Sequence, residues 1–463
     1  MVAEKDIIVA LELATTSIRA IAGQRMPDGT MQVLAFAEEN AANCIRKGII
    51  DNIDKTTQTI SRVLGAIGLQ LGQTISRVYV GLGGQSLHSV HNRIQRTFTE
   101  KTQISNGLID QLMDTNRGVV YTNSEILEVI PQEYKIGNRA VPDTDIVGMQ
   151  IEQMEANFLN IIARNSLAEN IENCVNGAGC EIAELLITPL TLGDSLLSAS
   201  EKRSGCALVD LGADTTTISV YTNNILRKLV VIPMGSHNAT TDIACCLKIE
   251  NEEAESMKIK YGRAWLEDYE TAKNNILQLS HDRETNESCL CEIIEARYEE
   301  ILHNVWAQIE EDSEKLTSGV IFTGGGAQIR FFNEAFKQVN KRDKQIRVVK
   351  GMPVDICMTS STYIPDNGRT NSILSLLLHG DQNCVINNVE PEKKAEPQET
   401  PEENNPVPDT TADTGKQDNN PPAQLEEEET GIEDKENETK KNKRSFWNPF
   451  WQTIKNALTD EEE

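Results

Sequence analysis

The sequence has no Cys-x-x-Cys pair, no excess of basic charge, and no apolar run of the ~18 to 20 residues needed to span a bilayer. Lys and Arg number 44 against 71 Asp and Glu, a formal charge of −27, which argues against a nucleic-acid partner. The ten cysteines are scattered, mostly in apolar contexts, so they read as free thiols in a reducing cytoplasm. The Cys289-x-Cys291 spacing is the only metal candidate, and no neighbouring second pair accompanies it. The first residues run straight into a strand with no basic, apolar leader, so no secretory signal is expected. The six histidines stand in no triad-like order with a nucleophile, and no dedicated general base is evident.

What is there is organised around residues 206–221, Cys-Ala-Leu-Val-Asp-Leu-Gly-Ala-Asp-Thr-Thr-Thr-Ile-Ser-Val-Tyr. An apolar strand meets Asp210, then a turn carrying Gly212, Ala213, Asp214, Thr215 and Thr216, then an alternating run that returns as a second strand. Such a tip can cradle a phosphate, because Gly212 admits the backbone closely while consecutive N–H groups and hydroxyls point at one anion. Asp210 at the strand end suits a magnesium ion held through water. Taken singly, the stretch reads first as an ordinary polar hairpin loop. Residues 7–19 repeat the design, an apolar strand, Glu12, then a turn with Thr15, Thr16 and Ser17. Further on, residues 319–329 run from a buried strand into Gly324, Gly325 and Gly326 and then a helix carrying Gln328, where bare backbone can lie against a purine and ribose.

Two carboxylate-bearing hairpins followed by a strand–glycine–helix unit resemble the actin, DnaK-type chaperone and sugar-kinase superfamily of ATP-binding proteins. The resemblance implies an α/β fold of two related lobes with nucleotide in the cleft between them. It sharpens with Val129-Ile-Pro-Gln-Glu-Tyr134, Val147-Gly-Met-Gln150, Val231-Ile-Pro-Met-Gly235, Glu253-Ala-Glu-Ser-Met-Lys258, Glu292-Ile-Ile-Glu-Ala-Arg-Tyr-Glu299 and Thr323-Gly-Gly-Gly326. Each is similar to a motif of the bacterial cell-division FtsA family, over roughly residues 6–380.

That resemblance implies the following organisation. Residues 1–84, 162–204 and 352–382 form subdomain 1A, and 85–161 form the inserted subdomain 1C; by pattern alone the latter also reads as a continuation of the first domain. Residues 205–235 with 318–351 form subdomain 2A, and 236–317 form 2B. Gly235 begins a second backbone approach to the nucleotide. Glu255 and Lys258, three apart on one helix face, are positioned to take ribose hydroxyls and to lie beside adenine or phosphates, though the pair also fits a solvated ion pair. His237 is the only histidine near that region. Arg297 matches an arginine of the surface that receives the carboxyl-terminal peptide of the tubulin-like protein FtsZ; flanking carboxylates also fit a solvated helix arginine. Residues 266–288 read as a polar loop without a recognisable role.

Departures from the family pattern matter. Its first loop normally reads Asp-Ile-Gly-Thr with a lysine soon after, whereas here Glu12, Ala14 and Ser17 occupy the corresponding places, and Arg19 lies too far along the strand to be assumed a substitute. Ala14 carries a Cβ where the turn favours a glycine, and Asp214 brings negative charge near a polyanion. ATP with magnesium held through water by Glu12 and Asp210 is expected to bind, but weakly, and hydrolysis is expected to be slow or absent.

Residues 387–439 carry 17 acidic and 4 basic residues with almost no large apolar side chains, which reads as a disordered tether. Residues 440–463 reverse that character. A cluster of lysines and an arginine precedes Phe446 and Trp447, and Asn448-Pro449 can start a helix whose stripe is Phe450, Trp451, Ile454 and Leu458. A basic, aromatic amphipathic helix on a long tether suits an anionic membrane surface, with docking on the globular body or in a protein groove as the other readings. The whole reads as a peripheral membrane adaptor that polymerises with ATP and anchors FtsZ filaments at the cytoplasmic face of the division septum, in company with other division proteins. An ATP-dependent kinase of the same superfamily and a pilus-type actin-like adaptor are the alternatives.

Overall fold

A computed structural model describes residues 6–386, apart from 42–43, 138, 142–145, 341–342, 360–363 and 366. The tether and the aromatic helix expected at 387–463 lie outside the described residues.

The apolar run after Asp6 forms the strand Ile7–Leu13, which turns into Ser17–Arg25 and then Met31–Asn40 as an antiparallel meander. On its other side Ile7–Leu13 pairs in parallel with Arg77–Leu82, which pairs in parallel with Glu181–Ile187. Ile356–Met358 completes a six-stranded sheet at the far edge. A second sheet repeats the plan. Cys206–Leu211 turns into Thr216–Thr222 and Ile225–Ile232, and takes Val320–Thr323 and then Ile346–Val348 in parallel on its other side. Strands such as Ser17–Arg25 are buried at nearly every position, because helices cover both faces of the sheet.

The helix Ile53–Leu71 covers one face of the first sheet. Asn52 starts it by accepting a hydrogen bond from the Lys55 amide at 2.9 Å, and Gly72 ends it in the left-handed conformation. Ile60, Leu64 and Ile67 are buried as their spacing predicts, but Ile53, at the helix start, remains exposed. Asn371–His379 covers the opposite region, packing on Ile7–Leu13, Ser17–Arg25 and the helix Thr188–Leu196.

Between the strand Arg77–Leu82 and the helix Ser166–Gly177 lies a four-stranded sheet ordered Arg139–Val141, Ser124–Ile136, Gln150–Arg164, His88–Gln103, with the helix Asn106–Arg117 on it. It has its own core, in which Leu108, Leu112, Tyr134 and Phe158 are buried and the two rings meet edge to face at 6.4 Å. Arg227 on the edge strand of the second sheet grips Glu133 at 2.7 Å, and Ser89 exchanges two hydrogen bonds with the Leu229 backbone.

Two local expectations need correction. Residues 266–288 are not a plain loop: they form the short helix Tyr269–Asn274 and a hairpin, Ile276–Leu279 with Arg283–Asn286, closed by a three-residue turn at 280–282 in which His281 and Asp282 both take positive φ. The triple glycine also does not run straight into an α-helix. A single 3-10 turn, Gly325–Gln328, intervenes before Phe332–Val339, because glycine favours a helix interior poorly and Phe331 is left-handed.

The longest helix among the described residues, Glu287–Ile309, is started by Asn286, whose side chain accepts from the Cys289 amide at 2.8 Å. Its inner face buries Ile294, Tyr298, Ile301, Val305 and Trp306, with Ile293 at the margin of the same core. No helix among the described residues is long and apolar enough to cross a membrane.

Candidate nucleotide site

The two meanders begin with turns closed by the same bond. Ala14 N–H donates to the Ser17 carbonyl at 3.1 Å, and Gly212 N–H donates to the Thr215 carbonyl at 2.9 Å. The match sets Glu12 opposite Asp210 in the duplicated design, and Ala14 opposite Gly212. Ala14 does not adopt positive φ, so the strain expected of its Cβ does not arise. Both turns face one cleft of about 950 Å³, and the glycine turn forms a further wall.

Close backbone packing holds that wall in place. Gly324 takes φ +88°, and a Cβ there would run into Asp210 Oδ1 and the Leu211 carbonyl, so the strand Val320–Thr323 can end against Cys206–Leu211 only with glycine. The Tyr298 hydroxyl donates to the Gly326 carbonyl at 2.9 Å, and Gln328 Nε2 donates to the Val349 carbonyl at 3.2 Å. Gly235 caps the helix Ser236–Leu247 so near the second turn that a Cβ would strike the Ala213 carbonyl. The Ser236 and His237 amides then donate to the Gly212 and Ala213 carbonyls at 3.0 and 2.8 Å.

Of the residues expected at the site, Glu12, Thr15, Thr16, Asp210, Gly212, Ala213, Asp214, Thr215, Glu255, Lys258, Gly324, Gly325, Gly326 and Gln328 line the cleft. Ser17, Thr216 and Gly235 do not. Thr216 opens a strand with its side chain turned inward, donating to the Met234 carbonyl at 2.8 Å, and strand alternation puts Thr215 and Thr217 outward instead. Ser17 is likewise buried at the first position of its strand. Gly235 acts through backbone packing behind the second turn.

Charge in the cleft is arranged in two groups. In one, Lys258 lies 2.7 Å from Glu255 and donates to the Ser236 carbonyl at 3.0 Å and to Thr240 Oγ1 at 2.8 Å. Burial pushes the Lys258 ammonium down from its ordinary range against the pull of Glu255, while burial of Glu255 is outweighed by Lys258 and its carboxyl lies lower than usual. In the other, burial, reinforced by the neighbouring Glu12 charge, pushes the Asp210 carboxyl up to about 7. Arg19 also lines the cleft, contrary to the expectation that it lies too far along the strand. Its Nη1 is 3.0 Å from Glu12 and its Nε 3.0 Å from Glu38.

The donor set fits a nucleoside triphosphate, with two polar turns, a bare glycine wall, and a carboxylate–ammonium pair. For magnesium the fit is divided, since Asp210 has no ion-pair partner among the described residues whereas Glu12 is committed to Arg19. Among the described residues no group of three or more His, Cys, Asp or Glu side chains could hold a metal ion.

Sequence reasoning missed Thr240, Tyr298, Asn367 and Arg369 as cleft residues. Tyr298 lies inside a motif that had been singled out for its arginine. Asn367 and Arg369 carry no local signal, because they arrive from a turn some 350 residues beyond the first hairpin. Arg297 projects from the longest helix and is held by Asp242, with Nε–Oδ2 at 2.6 Å and Nη2–Oδ1 at 3.0 Å, and by Glu300.

Two sheets of one design, joined around a cleft walled by paired turns and a glycine turn, define an actin-like protein. A solved structure of a PilM–PilN type IV pilus biogenesis complex shares that fold, with TM-score 0.58 and 14% identity over 80% of this chain and 97% of the other. The model of cell division protein FtsA matches residues 207–365, and the model of the SHS2 domain inserted in FtsA matches residues 84–162. Cell division protein FtsA of Porphyromonas gingivalis is 30% identical over 343 residues, covering 72% of this chain and 71% of the relative. The Escherichia coli protein of that name is 27% identical over 404 residues, covering 84% and 94%. The chain belongs to the FtsA family of cell division proteins.

Proposed function

We propose that the chain binds ATP in this cleft, assembles with copies of itself, and anchors FtsZ filaments to the cytoplasmic face of the membrane at the division septum. The observation that carries the reading is the convergence of both carboxylate-bearing turns and the glycine turn on one cleft, in a member of the FtsA family. Phosphates lie between the two turns, and the ribose and base lie toward Glu255, Lys258 and the glycine wall. Magnesium accompanies the nucleotide through water-mediated contact with Asp210. Binding of this kind serves assembly, and hydrolysis is at most slow.

The partner surface is the region of Arg297, where a guanidinium is available to an acidic peptide that displaces Asp242 or Glu300. Membrane attachment belongs to residues 440–463, whose lysines and arginine, Phe446, Trp447, Phe450, Trp451, Ile454 and Leu458 combine electrostatic attraction with burial of an apolar stripe in the headgroup layer. One such helix binds modestly, and many copies in a filament bind well. Residues 387–439 supply the reach, and 84–162, the inserted domain, offers a face to other division proteins.

The test is sedimentation of anionic liposomes with FtsZ and either the intact protein or a copy ending near Asn387. The intact protein is expected to carry FtsZ down, and the shortened one to leave it in solution. Equal recruitment by both would end the tether reading.

A further inference from the structure

Glu12, Arg19 and Glu38 stand in one row across three adjacent strands, because Glu12 pairs in register with Arg19 and Arg19 with Glu38. Directly opposed residues on neighbouring strands share a face, so the three charges meet. Arg19 is only 4% exposed, and burial opposes its charge, yet Glu12 and Glu38 outweigh that and hold it ionised. Its Nη1 donates to Glu12 at 3.0 Å and to the Arg369 carbonyl at 3.3 Å, and its Nε donates to Glu38 at 3.0 Å. Arg369 closes the row on Glu38 at 2.6 Å. Two guanidiniums thus balance two carboxylates, and Arg19 Nη2 has no acceptor among the described residues although Arg19 lines the cleft.

Resting on the nucleotide reading above, we propose that Arg19 is the fixed cation of the first phosphate turn: it withholds Glu12 from magnesium and offers Nη2 to the phosphates, so a nucleoside triphosphate binds with or without the metal. The turn itself has no lysine, and a buried guanidinium whose geometry is set by two carboxylates and a carbonyl is already oriented for an anion, losing little side-chain freedom on binding. A carboxylate engaged at 3.0 Å by a buried guanidinium is a poor metal ligand, because coordination would first have to break that pair and leave a buried charge unmatched. Asp210 remains free to meet magnesium through water, so the metal adds to binding without being required for it. Arg369 acts through Glu38 as a positioning residue, linking the turn before the helix Asn371–His379 to the phosphate end of the cleft.

The experiment is equilibrium binding of a fluorescent ATP to the full chain, in magnesium and in chelator, for the unaltered protein and for Arg19→Ala, Arg19→Lys and Glu12→Gln, with thermal melts alongside. The unaltered protein is expected to bind with affinities that agree within about threefold in the two buffers, and Glu12→Gln to bind several-fold tighter in chelator because a negative charge beside the phosphates is removed while Glu38 and the Arg369 carbonyl still hold Arg19. Arg19→Ala is expected to lose about tenfold or more in chelator, with magnesium restoring part of the loss through the freed Glu12, and Arg19→Lys to fall between. Should Arg19→Ala fail to fold, Glu12→Gln decides alone. An unaltered protein that binds only with magnesium, and loses that binding in Glu12→Gln, overturns the role of Arg19 while the nucleotide site stands. Absence of binding in both buffers overturns the site and this inference together.

Discussion

The Tyr298 hydroxyl donates to the Gly326 carbonyl at 2.9 Å, both atoms being buried, so the helix that carries Arg297 on its outer face holds the glycine wall of the cleft with its inner one. The proposed partner residue and the residue that holds the glycine wall are therefore successive on one helix. Tyr298→Phe keeps the ring and removes only the donor, which leaves a buried carbonyl unmatched. A loss of about 1 to 3 kcal/mol in thermal or urea unfolding is expected, together with several-fold weaker binding of fluorescent ATP. Unchanged values in both measurements would mean that the hydrogen bond does not order the wall.

Arg297 tests a competition. Its guanidinium is already engaged twice by Asp242, so an acidic peptide has to displace that carboxylate. Asp242→Asn is expected to tighten the FtsZ carboxyl-terminal peptide several-fold in fluorescence anisotropy, and Arg297→Ala to weaken it, while stability moves by about 0.5 kcal/mol or less because the pair is partly solvated. If Asp242→Asn weakened the peptide as Arg297→Ala does, the pair would serve as a unit and the competition would be refuted.

Asp210 gives a pH signature. Its folded carboxyl is raised to about 7, above the ~3.9 of an unfolded chain, so between those values the folded state holds more protons than the unfolded one. Stability in the absence of nucleotide and metal therefore falls as pH rises from about 4 to about 7 and levels off above that. Asp210→Asn is expected to flatten this slope and to gain on the order of 2 kcal/mol at pH 8, reduced from the full shift because the cleft admits water, while weakening magnesium-assisted binding. Urea unfolding across pH, with and without the substitution, reads it directly; parallel curves for both proteins would exclude Asp210 as the source.

Gly235 needs no unusual φ, since its backbone is extended, but it has no room for a side chain beside the Ala213 carbonyl. Gly235→Ala must separate the helix Ser236–Leu247 from the second turn, at a cost of about 1 to 3 kcal/mol and a larger loss of nucleotide affinity than Ser236→Ala. Equal affinity for Gly235→Ala and the unaltered protein would show that the turn tolerates the shift.

Much of this molecule is legible in one dimension. Duplicated strand–carboxylate–turn units and the strand before the glycines are local patterns, and each forms where its residues place it because period and turn chemistry act over a few positions. The hairpin at 276–286 was less so: the strands are short and polar, and its turn is closed by His281 and Asp282 in place of the glycine that usually marks such a bend. Thr216 was misplaced as a cleft residue because the turn's last strand position sets which threonine faces outward, and a shift of one residue exchanges the faces.

The sequence by itself determined the repeated sheet design, the two polar turns with the unusual Glu12 and Ala14 of the first, and the acidic character of 387–439, since these depend on neighbours in the chain. Tertiary structure alone decided that Arg19 turns into the cleft onto Glu12, that Arg369 arrives from the far end of the fold to share Glu38 with it, and that Tyr298 pins Gly326. Those relations join residues from 7 to 331 positions apart, where charge and hydrogen bonding are set by strand register and by which elements close on each other.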